Sequence, residues 1–249
     1  LPGLLQSAAR NQARGFMDLA LFEVGPVFTG GEPGEQRAEI AGILVGRNGP
    51  KDVHGASRAI DVFDAKADAE AILSAIGAPS KVQILRGGEG WWHPGRHGRI
   101  CLGPKKVLGV FGELHPKVLK ALDIKGGAVA FTIWPEEVPL PRNSAGATRA
   151  ALEISDLQAV ERDFAFVVDE GVDALTLINA AAGADKGLIE SVRVFDEFIG
   201  GSLGEGKKSL AVTVRLQPRG QTLKDADIEA VSKKIVEKVG KATGGALRG

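Results

Sequence analysis

A strict two-residue alternation follows the glycine-rich stretch GGSLGEGKKS. Between residues 209 and 217, Leu210, Val212 and Val214 alternate with small or polar residues. This period predicts a half-buried strand. A phosphate-binding P-loop needs Gly-Lys followed by Ser or Thr, and then a helix whose N-terminus faces the anion. Lys208 occupies the hydroxyl position, so the glycine-rich stretch is predicted to connect two antiparallel strands.

The second half of the chain has a simple order of predicted elements. RDFAFVV, IESVRVFDEFI and KSLAVTVRLQ indicate strands, residues 174–182 and 224–240 indicate helices, and GALRG indicates a short final strand. This β-α-β-β-α-β order is the ferredoxin-like pattern, in which one face of the sheet is left uncovered. The last helix is predicted to begin at a capping box formed by Thr222 and Asp225.

The first half combines antiparallel strands with helices. LALFEVGPVF, RAEIAGILVG, HGRICLG, KVLGVFGEL and GAVAFTIW indicate strands, and DVFDAKADAEAILSAIG indicates a helix with Asp64 as its N-cap. Such a mixture predicts an α+β fold. Pro, Ser, Gly and other small residues without a sustained period predict a linker at residues 135–155, between domains 1–134 and 156–249.

Composition excludes several classes of protein. With 44% hydrophobic and 25% charged residues, the chain is typical of a globular protein. Its zero net charge gives no global field for nucleic acid or a membrane, and its single cysteine, Cys101, excludes an internal disulfide framework. It has no membrane-spanning apolar run and no signal pattern, so we expect a cytoplasmic protein with no membrane partner. Because its first residues are helix-entry sequence without Met, we expect a fragment of a longer protein.

One region holds four residues of types that bind zinc: His93, His97, Cys101 and His115. His93 and His97 have i, i+4 spacing, but HPGRH contains Pro94 and Gly95 and is a poor helix. A buried Cys101 and a capping or packing role for His115 are the simpler interpretations, so no metal site is predicted. No Gly-x-Ser-x-Gly or other catalytic pattern is present either.

Charge is distributed unevenly in the second half. Residues 156–206 hold eleven acids against three bases, and residues 207–249 hold ten bases against four acids. Two interpretations stay open. The charges form two solvated faces of opposite sign, or the bases form a phosphate-binding surface, whose members would be Lys207, Lys208, Arg215, Arg219 and Arg248.

Several phrases in both halves occur together in one known family. LPGLLQSAARN, LALFEVGPVF, HPGRHGRICLG and GVFGELHPKVLKALDI lie in the first half, and VERDFAFVVDE, VRVFDEFIGGSLGEGKKSLAVTVRLQ, TLKDADIEAV and GALRG lie in the second. In sequence and order they resemble the C-terminal third of the bacterial phenylalanyl-tRNA synthetase beta subunit. The resemblance implies a class II synthetase-like antiparallel sheet domain that has lost its active site, followed by a ferredoxin-fold anticodon-binding domain.

The resemblance also implies functional residues. The family's anticodon contacts correspond to Asp196 of VFDEF, Ser209 of GKKSLA and Arg248 of ALRG. A carboxylate can accept from guanine, a hydroxyl can donate or accept, and a guanidinium can stack on a base or bind phosphate. Since Ser209 alternates with Leu210, we expect it to be exposed. One departure is Leu157-Gln158-Ala159, where the family has Phe-Pro-Ala.

The family further implies partners and cofactors. The first domain would pack on the catalytic alpha subunit, in an assembly of two alpha and two beta subunits, and phenylalanine tRNA would bind the last domain. ATP and magnesium would be used by the alpha subunit, with no cofactor in this chain. Two alternatives remain: a free-standing RNA-binding or scaffold protein that reuses the same folds, and a nucleotide hydrolase that uses Lys207 and Lys208.

Overall fold

The chain forms two compact units in the computed structural model, Leu1–Ala147 and Thr148–Gly249. The structure describes residues 1–49, 53, 55–140 and 154–248. Residues 141–153 of the predicted linker lie outside the described residues.

The first unit is built on a six-stranded sheet with the order β1-β2-β6-β5-β4-β3. Every neighbouring pair of strands is antiparallel. The α+β prediction is therefore confirmed. The elements are α1 Pro2–Ala13, β1 Leu19–Phe28, β2 Gln36–Val45, α2 Val62–Ala75, β3 Gln83–Leu85, β4 Trp92–Leu102, β5 Lys106–Leu114, α3 Pro116–Ala121 and β6 Ala128–Ile133.

The sheet of the first unit has a core on each face. Leu5 and Ala8 of α1 belong to one buried cluster with Ile43 of β2. On the opposite face, Leu73 of α2 belongs to a second cluster with Phe131 of β6. Alternation along the strands separates the two sets because successive side chains point to opposite faces.

The start of α2 differs from the prediction. Asp61, not Asp64, is the N-cap, and its carboxylate accepts a hydrogen bond from Phe63 N at 2.8 Å. Asp64 takes the third helical position and accepts from Asp61 N at 2.8 Å. The two carboxylates thus form a reciprocal capping box. Asp64 also forms an ion pair with Arg58 at 2.6 Å.

Two of the four residues weighed as metal ligands, His115 and Cys101, have structural roles. His115 is the N-cap of α3, and its Nδ1 accepts from Lys117 N at 3.1 Å, which confirms the capping interpretation. Cys101 is fully buried in β4, as expected, and burial raises the pKa of its thiol. His93 and His97 also lie in β4. Among the described residues, no group of three or more His, Cys, Asp or Glu side chains could hold a metal ion.

All three tryptophans of the chain lie in the first unit. Trp92 is buried and Trp91 is half-exposed beside it. Trp134 donates Nε1–H to Glu39 at 3.2 Å and lies under the Arg37 guanidinium, 4.7 Å from the ring centre. The indoles therefore report on the first unit alone.

The second unit is a four-stranded antiparallel sheet with the order β10-β7-β9-β8. Buried side chains of α4 and α5 join Phe166, Leu210 and Val212 in one core on one face of this sheet. The ferredoxin-like prediction is confirmed. The elements are β7 Val160–Asp169, α4 Ala174–Ala182, β8 Ile189–Phe198, β9 Lys207–Leu216, α5 Asp225–Thr243 and β10 Ala246–Leu247.

The start of α5 also differs from the prediction. Lys224 is the N-cap, and the Asp227 carboxylate accepts from its backbone N at 3.0 Å. The pairing of Thr222 with Asp225 was therefore wrong, because the N-cap lies two residues after Thr222. In the part of the chain that the structure describes, no helix is long and apolar enough to cross a membrane.

Candidate nucleic-acid interface

The face of the second sheet opposite α4 and α5 is its open face. Along β9, Leu210, Val212 and Val214 are fully buried against the helices. The alternate residues 209, 211, 213 and 215 therefore lie on the open face. Ala165 and Ala211 are paired at the middle of this face.

A β-bulge in β8 places Asp196 on the open face. The register shifts between Val194, opposite Val212, and Asp196, opposite Ala211, so that Phe195 is the extra residue. Plain alternation from Val194 would have turned Asp196 towards the helices. A bulge re-aims the side chains that follow it, and here it brings both Asp196 and Phe198 to the open face. Sequence reasoning missed this feature.

Arg248 reaches across the sheet from β10 to β8. Its backbone N donates to Ala165 O of β7 at 2.7 Å, and its guanidinium carbon lies 5.8 Å from the ring centre of Phe198. Strand β9 lies between β7 and β8, so the side chain crosses above it. The structure thus brings Asp196, Ser209 and Arg248 to one half of the open face, between its middle and the loop that joins β8 to β9.

Ser209 lies on the expected face but is only 4% exposed, which contradicts its predicted exposure. It is paired with Val167 on one side and Phe198 on the other. The hydroxyl can therefore be reached only when these neighbours move.

Lys208 lies on the opposite side of β9 from Ser209. It points to the same face as Leu210, is 8% exposed, and pairs with Glu197 at 3.1 Å. This position contradicts the expectation of a surface phosphate contact. Lys207 does face solvent, and its Nζ pairs with the Asp169 carboxylate at 2.5 Å.

Arg215 is held by acids on both neighbouring strands. Its Nε donates to Glu190 of β8 at 2.6 Å, and its Nη1 donates to Glu161 of β7 at 3.3 Å. The hydrogen bond to Glu190, followed by that to Glu161, raises the pKa of the guanidinium. Arg215 thus ties three strands together at the end of the open face away from Asp196.

The glycine-rich stretch connects β8 to β9, as predicted. A short 3₁₀ turn, Gly201–Leu203, is followed by Gly204 and Gly206 with φ of 90° and 70°. Lys207 then begins a strand. A strand and not a helix follows the loop, so the strand-loop-helix geometry of a P-loop nucleotide site is absent from this described segment.

Comparison with known proteins agrees with this architecture. Residues 1–134 match the family model of the phenylalanyl tRNA synthetase beta chain CLM domain, and residues 155–248 match the ferredoxin-fold anticodon binding domain. The two matches define a component of an aminoacyl-tRNA synthetase. The chain belongs to the phenylalanyl-tRNA synthetase beta chain family.

Relatives match along the whole chain. It is 82% identical to the phenylalanine–tRNA ligase beta subunit of Ruegeria pomeroyi and 65% identical to that of Cereibacter sphaeroides, in each case over 100% of this chain and 31% of the relative. The beta subunit of Brucella abortus is 51% identical over 100% of this chain and 32% of its own length. The chain thus spans about a third of these relatives, and the match does not favour a free-standing scaffold protein.

Proposed function

We propose that this chain is the C-terminal part of a phenylalanyl-tRNA synthetase beta subunit and that the open face of its second unit binds anticodon bases of phenylalanine tRNA. The observation that carries the proposal is the meeting of Asp196, Ser209 and Arg248 beside the exposed ring of Phe198. A carboxylate can hydrogen-bond to the edge of an unstacked base, and a guanidinium and an aromatic ring can stack on its face. Lys207, Lys208 and Arg215 are left out of the base site because each is paired with an acid in the structure.

The wider assembly belongs to the same proposal. The alpha subunit would bind the first unit, in an assembly of two alpha and two beta subunits, and would use ATP and magnesium for aminoacylation. The domains would be residues 1–134 and 156–249, joined by residues 135–155, in a cytoplasmic enzyme. The names of the relatives and the two family models support this proposal.

The test is binding of the chain to phenylalanine tRNA and to the same tRNA with a swapped anticodon, over a series of salt concentrations. We expect the cognate tRNA to bind more tightly, and Asp196→Asn to remove about tenfold of that preference, the size of one lost base contact. Asp225→Asn, on α5, is the matched control and should leave the preference unchanged. Equal binding of both tRNAs, with affinity set only by salt, would contradict base recognition.

A further inference from the structure

Strand β8 carries a further arginine, Arg193, on the open face of the second unit. Val192 and Val194 on either side of it pack against the core shared with α4 and α5, so alternation turns Arg193 to the opposite face. Its partner in β9 is Thr213, one of the open-face residues. The Arg193 side chain is exposed, and β8 is an edge strand. The guanidinium is therefore accessible from solvent at the rim of the open face.

The Arg193 guanidinium has no acid partner. In the part of the chain that the structure describes, its side chain makes no ion pair, hydrogen bond or ring contact. Asp163 lies in the same row of the face, but its Oδ1 accepts a hydrogen bond from the Thr213 hydroxyl at 2.7 Å. Arg215, one row further, is instead held by acids on both neighbouring strands. Arg193 thus keeps its five N–H donors for a ligand.

Arg193 lies one row away from the residues proposed to bind a base. Asp196 and Arg193 pair with residues of β9 that are two positions apart, so about 7 Å separates their rows along the sheet. On the other side of Asp196, the Arg248 guanidinium lies over the ring of Phe198. Asp196 is therefore flanked by an arginine on each side along the open face.

We propose that Arg193 binds a backbone phosphate of the RNA strand whose base is held beside Asp196. This inference rests on the proposed function, in which the open face binds an unstacked anticodon base. A planar guanidinium with all its donors available can bind two oxygens of one phosphate at once. A base edge has less to bind in this row, because Thr213 and Asp163 are already hydrogen-bonded to each other.

The charge of the open face supports a phosphate at this position. Asp163 and Asp196 are carboxylates on the face, and a polyanionic strand is repelled by both. The strand therefore needs a base that no acid already pairs, and Arg193 meets that condition beside Asp196. Because a phosphate contact fixes the position of a strand without reading its sequence, Arg193 would hold the strand in register while Asp196 reads the base.

The salt dependence of tRNA binding tests the contact. We expect Arg193→Gln to reduce the slope of log affinity against log salt by about 0.7, the value for one phosphate of a single strand. The ratio of parent to variant affinity should then fall by about 2.5-fold between about 50 mM and about 200 mM salt. The preference for the cognate over the anticodon-swapped tRNA should stay unchanged. An unchanged slope, or a lost preference, would overturn the proposal.

Two further variants separate a local contact from a change in net charge. Lys233 is exposed on α5, which packs on the other face of the sheet, so Lys233→Gln removes one charge away from the open face and should leave the slope unchanged. Arg193→Lys keeps a point charge that can bind phosphate and should keep most of the slope. An equal loss of slope in Lys233→Gln and Arg193→Gln would overturn the assignment to Arg193.

Ethylation of single phosphates in phenylalanine tRNA identifies the phosphate, because each ethyl group removes one negative charge. We expect one ethylated position in the anticodon loop to weaken binding of the parent chain and to leave binding of Arg193→Gln unaffected. If every position weakens both proteins equally, Arg193 binds no phosphate. The base proposal fails separately, when the parent chain binds cognate and swapped tRNAs equally, and that result leaves the slope and ethylation measurements intact.

Discussion

At the residue scale, the position of Arg248 depends on Gly245. A Cβ added to Gly245 would lie 2.6 Å from Val168 Cγ1 and 2.9 Å from Val167 O. Both neighbours belong to β7, so β10 can lie against β7 only when residue 245 has no side chain. Arg248 is the residue after β10, and its backbone N–H donates a hydrogen bond to Ala165 O.

The first prediction is therefore that Gly245→Ala weakens anticodon preference by about tenfold, the size of one lost base contact, although it changes no side chain on the open face. The measurement is the ratio of affinities for the cognate and anticodon-swapped tRNAs. Gly220→Ala is the control, because nothing lies within 4 Å of the added Cβ. An unchanged ratio for Gly245→Ala would show that Arg248 does not contribute from this position.

A second prediction separates Arg248 from Arg215. Arg248→Gln should reduce the slope of log affinity against log salt by about 1 if the guanidinium meets a phosphate. Arg215→Gln should leave the slope unchanged, since Glu190 and Glu161 already neutralise Arg215. Titration of each variant with phenylalanine tRNA between low and moderate salt gives both slopes. A reduced slope for Arg215→Gln would place phosphate at that end of the face.

At the element scale, the N-terminus of α2 makes stability depend on pH. The hydrogen bond between Arg58 and Asp64 lowers the pKa of the Asp64 carboxyl group. The charged carboxylate therefore stabilises the folded state at pH values above the ordinary carboxyl pKa of 3.8. That contribution is lost as pH falls through the lowered value. Burial, and then the charge of Asp64, raise the pKa of Asp68, so ionisation of Asp68 opposes folding.

The third prediction follows from these opposite signs. Asp64→Asn should lower the free energy of unfolding at pH 7 by about 1 kcal/mol, as the loss of a capping group does, and should flatten its decline towards pH 3. Asp68→Asn should slightly raise it at pH 7 and leave it unchanged at pH 3. Urea unfolding at the two pH values measures both. A change of the same sign in the free energy of unfolding of the two variants at pH 7 would contradict this account.

The same elements show how far sequence could predict the structure. The alternation of β9 and the order of elements in the second half followed from periodicity, because burial imposes it directly. In the first half, the three-residue strand β3 was missed. The cap of α2 was misplaced by three residues, since Asp61 and Asp64 are equally good caps in sequence. The bulge at Phe195 and the burial of Ser209 depend on neighbouring strands, which local sequence does not reveal.

At the scale of the whole molecule, each unit has its own core. The buried cluster of the second unit draws its members only from that unit, and the first unit contains two clusters of its own. Compact units of this size fold independently when few contacts join them. The open face lies entirely within the second unit.

A fourth prediction is that the polypeptide 154–249 folds alone and keeps its affinity for phenylalanine tRNA to within about threefold, because every residue of the base site and its core is present. Circular dichroism and a tRNA titration check the two statements. Loss of the cooperative thermal transition in the isolated polypeptide would show that the second unit needs the first one.

The distribution of aromatic residues gives the molecule a built-in optical asymmetry. Since the chain has no tyrosine and all three tryptophans lie in the first unit, light absorbed at 295 nm excites that unit only. The second unit does not absorb at this wavelength. A single Phe198→Trp substitution would therefore place one reporter indole on the open face, where a stacked base would quench its fluorescence. Subtracting the spectrum of the parent chain removes the signal of the three native tryptophans.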